Sequence, residues 1–157
     1  MHNSFLTQMA RYFALALLLG FFTGFSGCGF GTPQPVQGTV LVDGKPLEGI
    51  MVGFYSDDKA TAQDALWGIG YTDKAGNFQV TETKAALGGK GLPAGRYRVY
   101  FRRNVDASGK LMPANLKVED SPGAKSSIAS KYTSVQETPV RETIGTQNTF
   151  RFEIPSQ

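Results

Sequence analysis

The chain is poor in the side chains that most often build catalytic, metal and disulfide sites. Its 157 residues include one cysteine, Cys28, and one histidine, His2. A single cysteine cannot form a disulfide within its own chain. Loss of a leader segment would remove His2, and with it every Ser-His-Asp, Cys-His or His-ligated metal arrangement. Only carboxylates, lysines and tyrosines then remain as acids or bases, so we expect no catalytic site and no enzyme.

An excess of charge of one sign is also lacking. The chain has 16 Lys and Arg against 13 Asp and Glu, and no run of basic residues approaches the clustered footprint of a nucleic-acid surface. Asp57, Asp58 and Asp64 share one segment, but their spacing fails the alternating pattern of a calcium loop. We therefore expect a solvated loop there, and neither a metal nor a cofactor.

The longest apolar stretch stands at the N-terminus. It runs from Tyr12 to Phe25, follows the weakly basic His2 and Arg11, and ends in small residues. It is shorter than the roughly 20 residues that a membrane-spanning helix needs. This pattern is typical of a secretory signal, which we place at residues 1–27.

The segment Ser26-Gly27-Cys28 resembles the lipobox of bacterial lipoproteins, although Phe25 stands where that family usually has Leu. The resemblance implies that Cys28 carries a diacylglycerol and acyl chains such as palmitate, and becomes the new N-terminus. Two or more acyl chains hold a protein durably at a membrane. Gly29 and Phe30 follow, and the absence of Asp there resembles outer-membrane cargo. Cleavage without lipidation is the alternative.

A spacer and one β-rich domain follow Cys28. Residues 28–35 contain the Thr-Pro-Gln-Pro sequence of a stiff tether, and residues 36–154 are long enough for a single core without disulfides. Apolar residues alternate with polar ones in several short segments separated by turns. The inward sets are Val36, Gly38, Val40, Val42; Ile50, Val52, Phe54; Tyr97, Val99, Phe101; and Phe150, Phe152, Ile154. In a further segment, Trp67, Ile69 and Tyr71 alternate with Gly68 and Gly70.

Turn signals connect these segments. Asp43-Gly44 favours a hairpin, the segment from Thr72 to Asn77 turns into a strand at Phe78, and residues 84–95 form a connection. A further strand is predicted from Thr138 to Thr143. Residues 104–131 lack periodicity and are predicted to be an irregular excursion, the best candidate for a contact surface. Seven short strands predict an all-β protein with a β-sandwich.

Several phrases in this order resemble the transthyretin-like, carboxypeptidase regulatory-like domain. They are Val36-Gln-Gly-Thr-Val, Asp43-Gly44-Lys45-Pro46-Leu47, Gly76-Asn77-Phe78 and Leu92-Pro93-Ala94-Gly95-Arg96-Tyr97. The whole is similar to small planctomycete-type lipoproteins that carry this domain. The resemblance implies a seven-stranded Greek-key β-sandwich. The hydrolase relative of transthyretin uses histidines and a terminal Tyr-Arg-Gly-Ser motif, whereas this chain ends Phe-Glu-Ile-Pro-Ser-Gln.

Two sets of residues are candidates for ligand binding. Arg96, Arg98, Tyr100 and Arg102 alternate with the buried residues of one strand, and this outward patch could bind anionic glycans, lipid headgroups or a protein partner. The alternative is a solvated face paired with acids of its neighbours. Trp67 and Tyr71 could stack on a sugar ring, although their strand spacing is more typical of core residues.

Together these features predict a non-catalytic, lipid-anchored β-sandwich outside the cytoplasm, tethered to an envelope membrane, which acts as an interaction or structural module of the cell envelope. Its partners would be the membrane and an envelope protein or glycan, with no nucleic acid. A carbohydrate- or small-ligand-binding lipoprotein is the alternative. An enzyme that uses carboxylates alone is the third hypothesis, and it requires two acids that converge in a pocket. Fold resemblance alone does not decide among them.

Overall fold

The computed structural model describes residues 31–57, 65–89, 91–113, 116 and 121–157. The predicted signal at 1–27, Cys28, Asp58 and Asp64 lie outside the described residues. In the described part of the chain, no helix has the length and apolar character needed to cross a membrane.

The described residues form an all-β protein whose longer strands are connected by turns and loops. Short 3₁₀ turns lie at Ala85–Leu87 and Ser130–Tyr132. The strands are β1 (Gln37–Val42), β2 (Lys45–Pro46), β3 (Met51–Ser56), β4 (Trp67–Tyr71), β5 (Asn77–Thr83), β6 (Gly95–Arg102), β7 (Asn104–Val105), β8 (Lys125–Ser126), β9 (Arg141–Ile144) and β10 (Thr149–Ile154).

One curled sheet contains most of the strands, in the order β10-β1-β5-β4-β3-β6-β9, with β2 paired to β1. All its pairs are antiparallel except β1 with β10, which run parallel. The sheet turns at β5, because residues from Asn77 to Gln79 pair with β1 whereas Val80 and the residues after it pair with β4. β7 and β8 form a separate two-stranded ribbon.

The Asp43-Gly44 turn confirms the hairpin prediction between β1 and β2. Both residues have positive φ, 49° and 75°, as a two-residue turn of the primed type requires. Asp43 also accepts a hydrogen bond from the Ser156 backbone N–H. A hydrogen bond with the Ser156 side chain, and then the one with its backbone N–H, lower the pKa of Asp43.

Aromatic rings from both halves of the curled sheet meet in the core. Phe152 of β10 lies 5.2 Å from Phe101 of β6 and 6.4 Å from Phe54 of β3, measured between ring centroids. Phe78 of β5 and Phe150 of β10 join the same cluster. The inward sets predicted for β1, β3 and β6 are confirmed, and so is the burial of Phe152 and Ile154, whereas Phe150 is half-buried.

Two predictions about the later part of the chain need adjustment. Thr138 precedes β9 rather than opening it, because its buried hydroxyl donates to the Val99 carbonyl and fixes the chain beside β6. The described parts of the excursion after Asn104 contain more regular structure than its lack of periodicity indicates. It contains β7 and β8 and buries the apolar side chains of Val105, Met112 and Ile128.

Candidate functional site

The strands β4, β3 and β6 present one face to solvent, which we call the outer face. Their registers align three rows across the sheet: Tyr71, Met51 and Arg102; Ile69, Gly53 and Tyr100; and Trp67, Tyr55 and Arg98. Directly paired residues of neighbouring antiparallel strands lie on the same side of a sheet. The outer face therefore combines aromatic rings with arginines.

The orientation of β4 excludes the alternative in which Trp67 and Tyr71 are core residues. Trp67 and Tyr71 are 36% and 39% exposed, whereas Gly68 and Gly70 face the core and are buried. A Cβ at Gly68 would lie 2.7 Å from Val80 Cγ1 and 3.1 Å from Leu92 Cδ2. The core space beneath β4 is thus filled by Val80 and Leu92, and the larger side chains of β4 must lie outside.

Tyr100 lies flat in the centre of the outer face because Gly53 has no side chain. A Cβ at Gly53 would lie 2.3 Å from Tyr100 Cζ. Partial burial raises the pKa of Tyr100, as do the nearby Tyr71 and Tyr55, against the opposing effect of Arg102. Burial and the charge of Glu82 also raise the pKa of Tyr71. The tyrosine hydroxyls are therefore neutral hydrogen-bonding groups at neutral pH.

The arginines of β6 have different surroundings along the strand. Arg98 Nε lies 2.6 Å from Asp57 Oδ1, and Arg141 Nε lies 3.8 Å from Asp57 Oδ2. Asp57 therefore compensates arginine charge, as the solvated-face alternative supposes for the patch. Arg96 is exposed beside Thr143 of β9. All six predicted ligand-binding residues thus lie on the same side of one sheet: Trp67, Tyr71, Arg96, Arg98, Tyr100 and Arg102.

A groove of about 700 Å³ adjoins the row that ends at Arg102. Its walls include Tyr71 and Met51 of the outer face, and Leu111 and Pro113 of the excursion. Arg102 and Arg103 both line it. Sequence reasoning missed Arg103 and Leu111, because they lie where the alternating pattern stops. The groove volume falls in the range of small-ligand sites.

Both groove arginines are held by neutral acceptors. Arg102 Nε donates to the Thr133 carbonyl at 3.0 Å, and its guanidinium carbon lies 5.4 Å from the Tyr100 ring centroid. Arg103 donates from Nε to the Glu48 carbonyl at 2.8 Å and from Nη1 to Ser127 Oγ at 3.3 Å. Within the described ranges, neither arginine forms an ion pair with a carboxylate.

Among the described residues, none of those that line the groove is a carboxylate, a histidine or a cysteine. The part of the chain that the structure describes contains no cluster of three or more His, Cys, Asp or Glu that could hold a metal ion. Burial raises the pKa of Glu142, but this residue pairs with Tyr97 and lies on the opposite side of the sheet from the outer face. The arrangement is suited to binding through ring surfaces and guanidinium groups.

Comparison with known proteins gives little further information. No protein-family model matches the chain, and no curated protein matches it. Among solved structures, a 9R-lipoxygenase from Cyanothece PCC8801 is similar at 20% sequence identity and a TM-score of 0.37. That match covers 79% of this chain and 16% of the lipoxygenase chain. A likeness this distant has no bearing on activity.

Proposed function

We propose that this protein is a non-catalytic binding module of the cell envelope, held at a membrane outside the cytoplasm by lipid on Cys28. It acts there as an interaction or structural module, and the outer face is its contact surface. The N-terminal apolar stretch, the lipobox-like Ser26-Gly27-Cys28 and the Pro-containing spacer support the anchoring. The proposed location is the outer membrane, because Gly29 and Phe30, and not Asp, follow Cys28.

The fold proposed for this module is a seven-stranded Greek-key β-sandwich of the transthyretin-like type. Seven described strands have at least four residues, and the two halves of the curled sheet pack their aromatic rings together. The order of the turn phrases along residues 36–154 also supports it. The parallel pairing of β1 with β10 places the last strand of the chain at one edge of the sheet.

One observation carries the proposed contact role. Trp67, Tyr71 and Tyr100 occupy a solvent-facing side of a sheet together with Arg98 and Arg102, although the same strands bury their other side chains completely. Aromatic side chains and arginine are the types that dominate binding surfaces, because they give a large contact area for little loss of conformational freedom.

A second candidate is a carbohydrate- or small-ligand-binding lipoprotein. The accessible rings of Trp67 and Tyr71 favour it, since flat aromatic surfaces stack on sugar rings. This candidate specifies the partner of the same surface, so the two proposals share one experiment.

The binding role is tested by sedimentation of the purified chain with isolated cell envelopes that lack it, with Cys28→Ser present in every protein compared so that lipid cannot hold it to the envelope. We expect retention that falls at least tenfold in Trp67→Ala and in Tyr100→Ala. Arg151→Ala, an exposed substitution on β10, serves as the control and should bind as the wild type does. Equal retention of all four proteins would contradict the proposal.

The anchor is tested separately by mass spectrometry of the N-terminal peptide from membrane fractions. We expect an acylated peptide that begins at Cys28, and a Cys28→Ser protein that lacks it and leaves the membrane fraction. An unmodified N-terminus in the soluble fraction would contradict lipid anchoring.

A further inference from the structure

The groove beside the outer face contains a local excess of positive charge. Among the described residues that line it, Arg102 and Arg103 are the charged ones. Each is oriented by a carbonyl or hydroxyl oxygen rather than by a carboxylate. A neutral acceptor fixes the position of a guanidinium without cancelling its charge. The remaining donors are therefore pre-positioned for an anion.

Arg98, in the row of the outer face that includes Trp67, has different surroundings from the two groove arginines. Asp57 contacts both Arg98 and Arg141 and so offsets part of their charge. Among the described residues, no carboxylate forms an ion pair with Arg102 or Arg103. A planar guanidinium matches a carboxylate or phosphate group in geometry as well as in charge. Charge complementarity consequently predicts an acidic group of the ligand beside Arg102.

The neighbouring surface is apolar and extended. Trp67 and Tyr71 lie on one side of β4 and, at about 3.4 Å per residue, are separated by about 14 Å along the strand. Tyr100 of β6 lies over Gly53, in the row between the row of Trp67 and the row of Tyr71. Such a surface is long enough for consecutive rings of an oligomer. The groove at its end has Leu111 and Pro113 as an opposing wall.

We propose that the outer face and the groove bind an acidic oligosaccharide, with a uronic acid carboxylate accepting hydrogen bonds from Arg102 and Arg103. Sugar rings then pack along Tyr71, Tyr100 and Trp67. This inference rests on the proposed function, since it names the partner of the same surface. Single-stranded nucleic acid also combines ring stacking with negative charge, but it requires a basic groove that follows many phosphates. Here, among the described lining residues, the groove carries only two basic side chains, Arg102 and Arg103.

The test is isothermal titration calorimetry of the full chain in nonionic detergent. The probes are oligogalacturonate and oligo-hyaluronate, each compared with its methyl ester, which keeps the sugar backbone and removes the charge. We expect at least one acid to bind, its ester to bind at least tenfold more weakly, and its affinity to fall as salt is raised. Loss of one charged hydrogen bond corresponds to about this factor.

Matched variants locate the carboxylate. Arg102→Gln should weaken binding of the acid at least tenfold and leave that of the ester nearly unchanged, whereas Arg102→Lys should retain part of the affinity. Arg151→Gln removes the same charge from β10 and should bind as the wild type does. Arg103→Gln should resemble Arg102→Gln. Arg103 also holds the loop at Glu48, so the thermal stability of Arg103→Gln is measured as well. If Arg103→Gln is unfolded, the result for Arg102→Gln decides the outcome.

Four results would overturn the inference: equal binding of acid and ester, no binding of either acid, unchanged affinity in Arg102→Gln, or tighter binding of an oligo-dT strand than of the acids. The envelope sedimentation separates this failure from failure of the proposed function. If retention still depends on Trp67, the contact role stands and only the acidic-sugar assignment is wrong. If retention is independent of the outer face, the proposed function itself is wrong.

Discussion

The contact between Tyr100 and Gly53 shows how a single missing side chain shapes the outer face. A Cβ at position 53 would meet the end of the Tyr100 ring, which is a movable group at the surface. At Gly70, a Cβ would lie 2.3 Å from the Gln79 carbonyl oxygen, which is part of the backbone of β5. A side chain at position 53 would therefore disturb the binding surface, whereas one at position 70 would disturb the pairing of β4 with β5.

We predict that Gly53→Ala displaces the Tyr100 ring and costs at most about 1 kcal/mol of stability, whereas Gly70→Ala costs about 3 kcal/mol or more because backbone must move. Urea unfolding measures both. Gly53→Ala should nevertheless reduce envelope binding as Tyr100→Ala does. Equal destabilisation by the two substitutions would show that Tyr100 is not free to move away.

Sequence reasoning at the level of single residues succeeded where large apolar and charged residues alternate. In β6 the arginines cannot be buried without partners, so Tyr97, Val99 and Phe101 must face inward, as predicted. In β4 the alternation is between aromatic residues and glycine, and the apolar-inward rule gave the wrong side. The outcome depends on Val80 and Leu92, which fill the space below Gly68 and are distant in sequence.

The elements that border the groove depend on a turn held by one carboxylate. Asp106 Oδ1 accepts hydrogen bonds from the Ser108 backbone N–H at 2.9 Å, the Ser108 hydroxyl at 2.6 Å and the Lys110 backbone N–H at 3.0 Å. The Ser108 hydroxyl and then the Lys110 backbone N–H lower the pKa of Asp106. Leu111, a wall of the groove, follows this turn directly.

The lowered pKa of Asp106 predicts the direction of a pH effect. A carboxyl whose pKa is depressed by folding stabilises the turn fully above its unfolded value, about 3.9, and this stabilisation is lost as the pH falls through the folded pKa. Amide proton shifts of Ser108 and Lys110, followed by NMR, should move towards random-coil values in acid. In Asp106→Ala they should be near those values already at pH 7. Shifts that do not respond to either change would contradict this role.

The sequence predicts some of these elements well and others poorly. The hairpin at Asp43-Gly44 is encoded locally, because both residues tolerate positive φ. The groove could not be predicted, since it is formed by a segment without periodicity that packs against the end of β6. β9 begins at Arg141 rather than at the predicted Thr138, and the hydroxyl of the buried Thr138 donates to the Val99 carbonyl.

At the scale of the whole molecule, Phe152 connects the two halves of the curled sheet. Its ring contacts Phe78 and Phe150 in its own half and Phe54 and Phe101 in the other. We predict that Phe152→Ala destabilises the protein by about 3 to 5 kcal/mol, because a large cavity opens at this junction. Urea unfolding measures the loss, with Arg151→Ala on the same strand as the exposed control. A cost below about 1 kcal/mol would mean that the halves hold together without this ring.

The all-β class followed from the alternating segments and turn signals, but the order of strands did not. The parallel pairing of β1 with β10 joins segments from opposite ends of the domain. Nothing local in either strand specifies such a partner, because alternation indicates only which face is buried. The outer face likewise exists only once β4, β3 and β6 are neighbours, although Arg98, Tyr100 and Arg102 were recognisable as a set beforehand.

The most direct test of the account uses Trp67, the single tryptophan of the chain, as a reporter on the outer face. Its fluorescence is titrated with solubilised cell-envelope polysaccharide, and iodide quenching is measured with and without that ligand. The account predicts a saturable change in emission and protection from iodide, both reduced in Tyr100→Ala and retained in Arg151→Ala. Binding detected by calorimetry that leaves both the emission and the quenching of Trp67 unchanged would contradict the outer face as the contact surface.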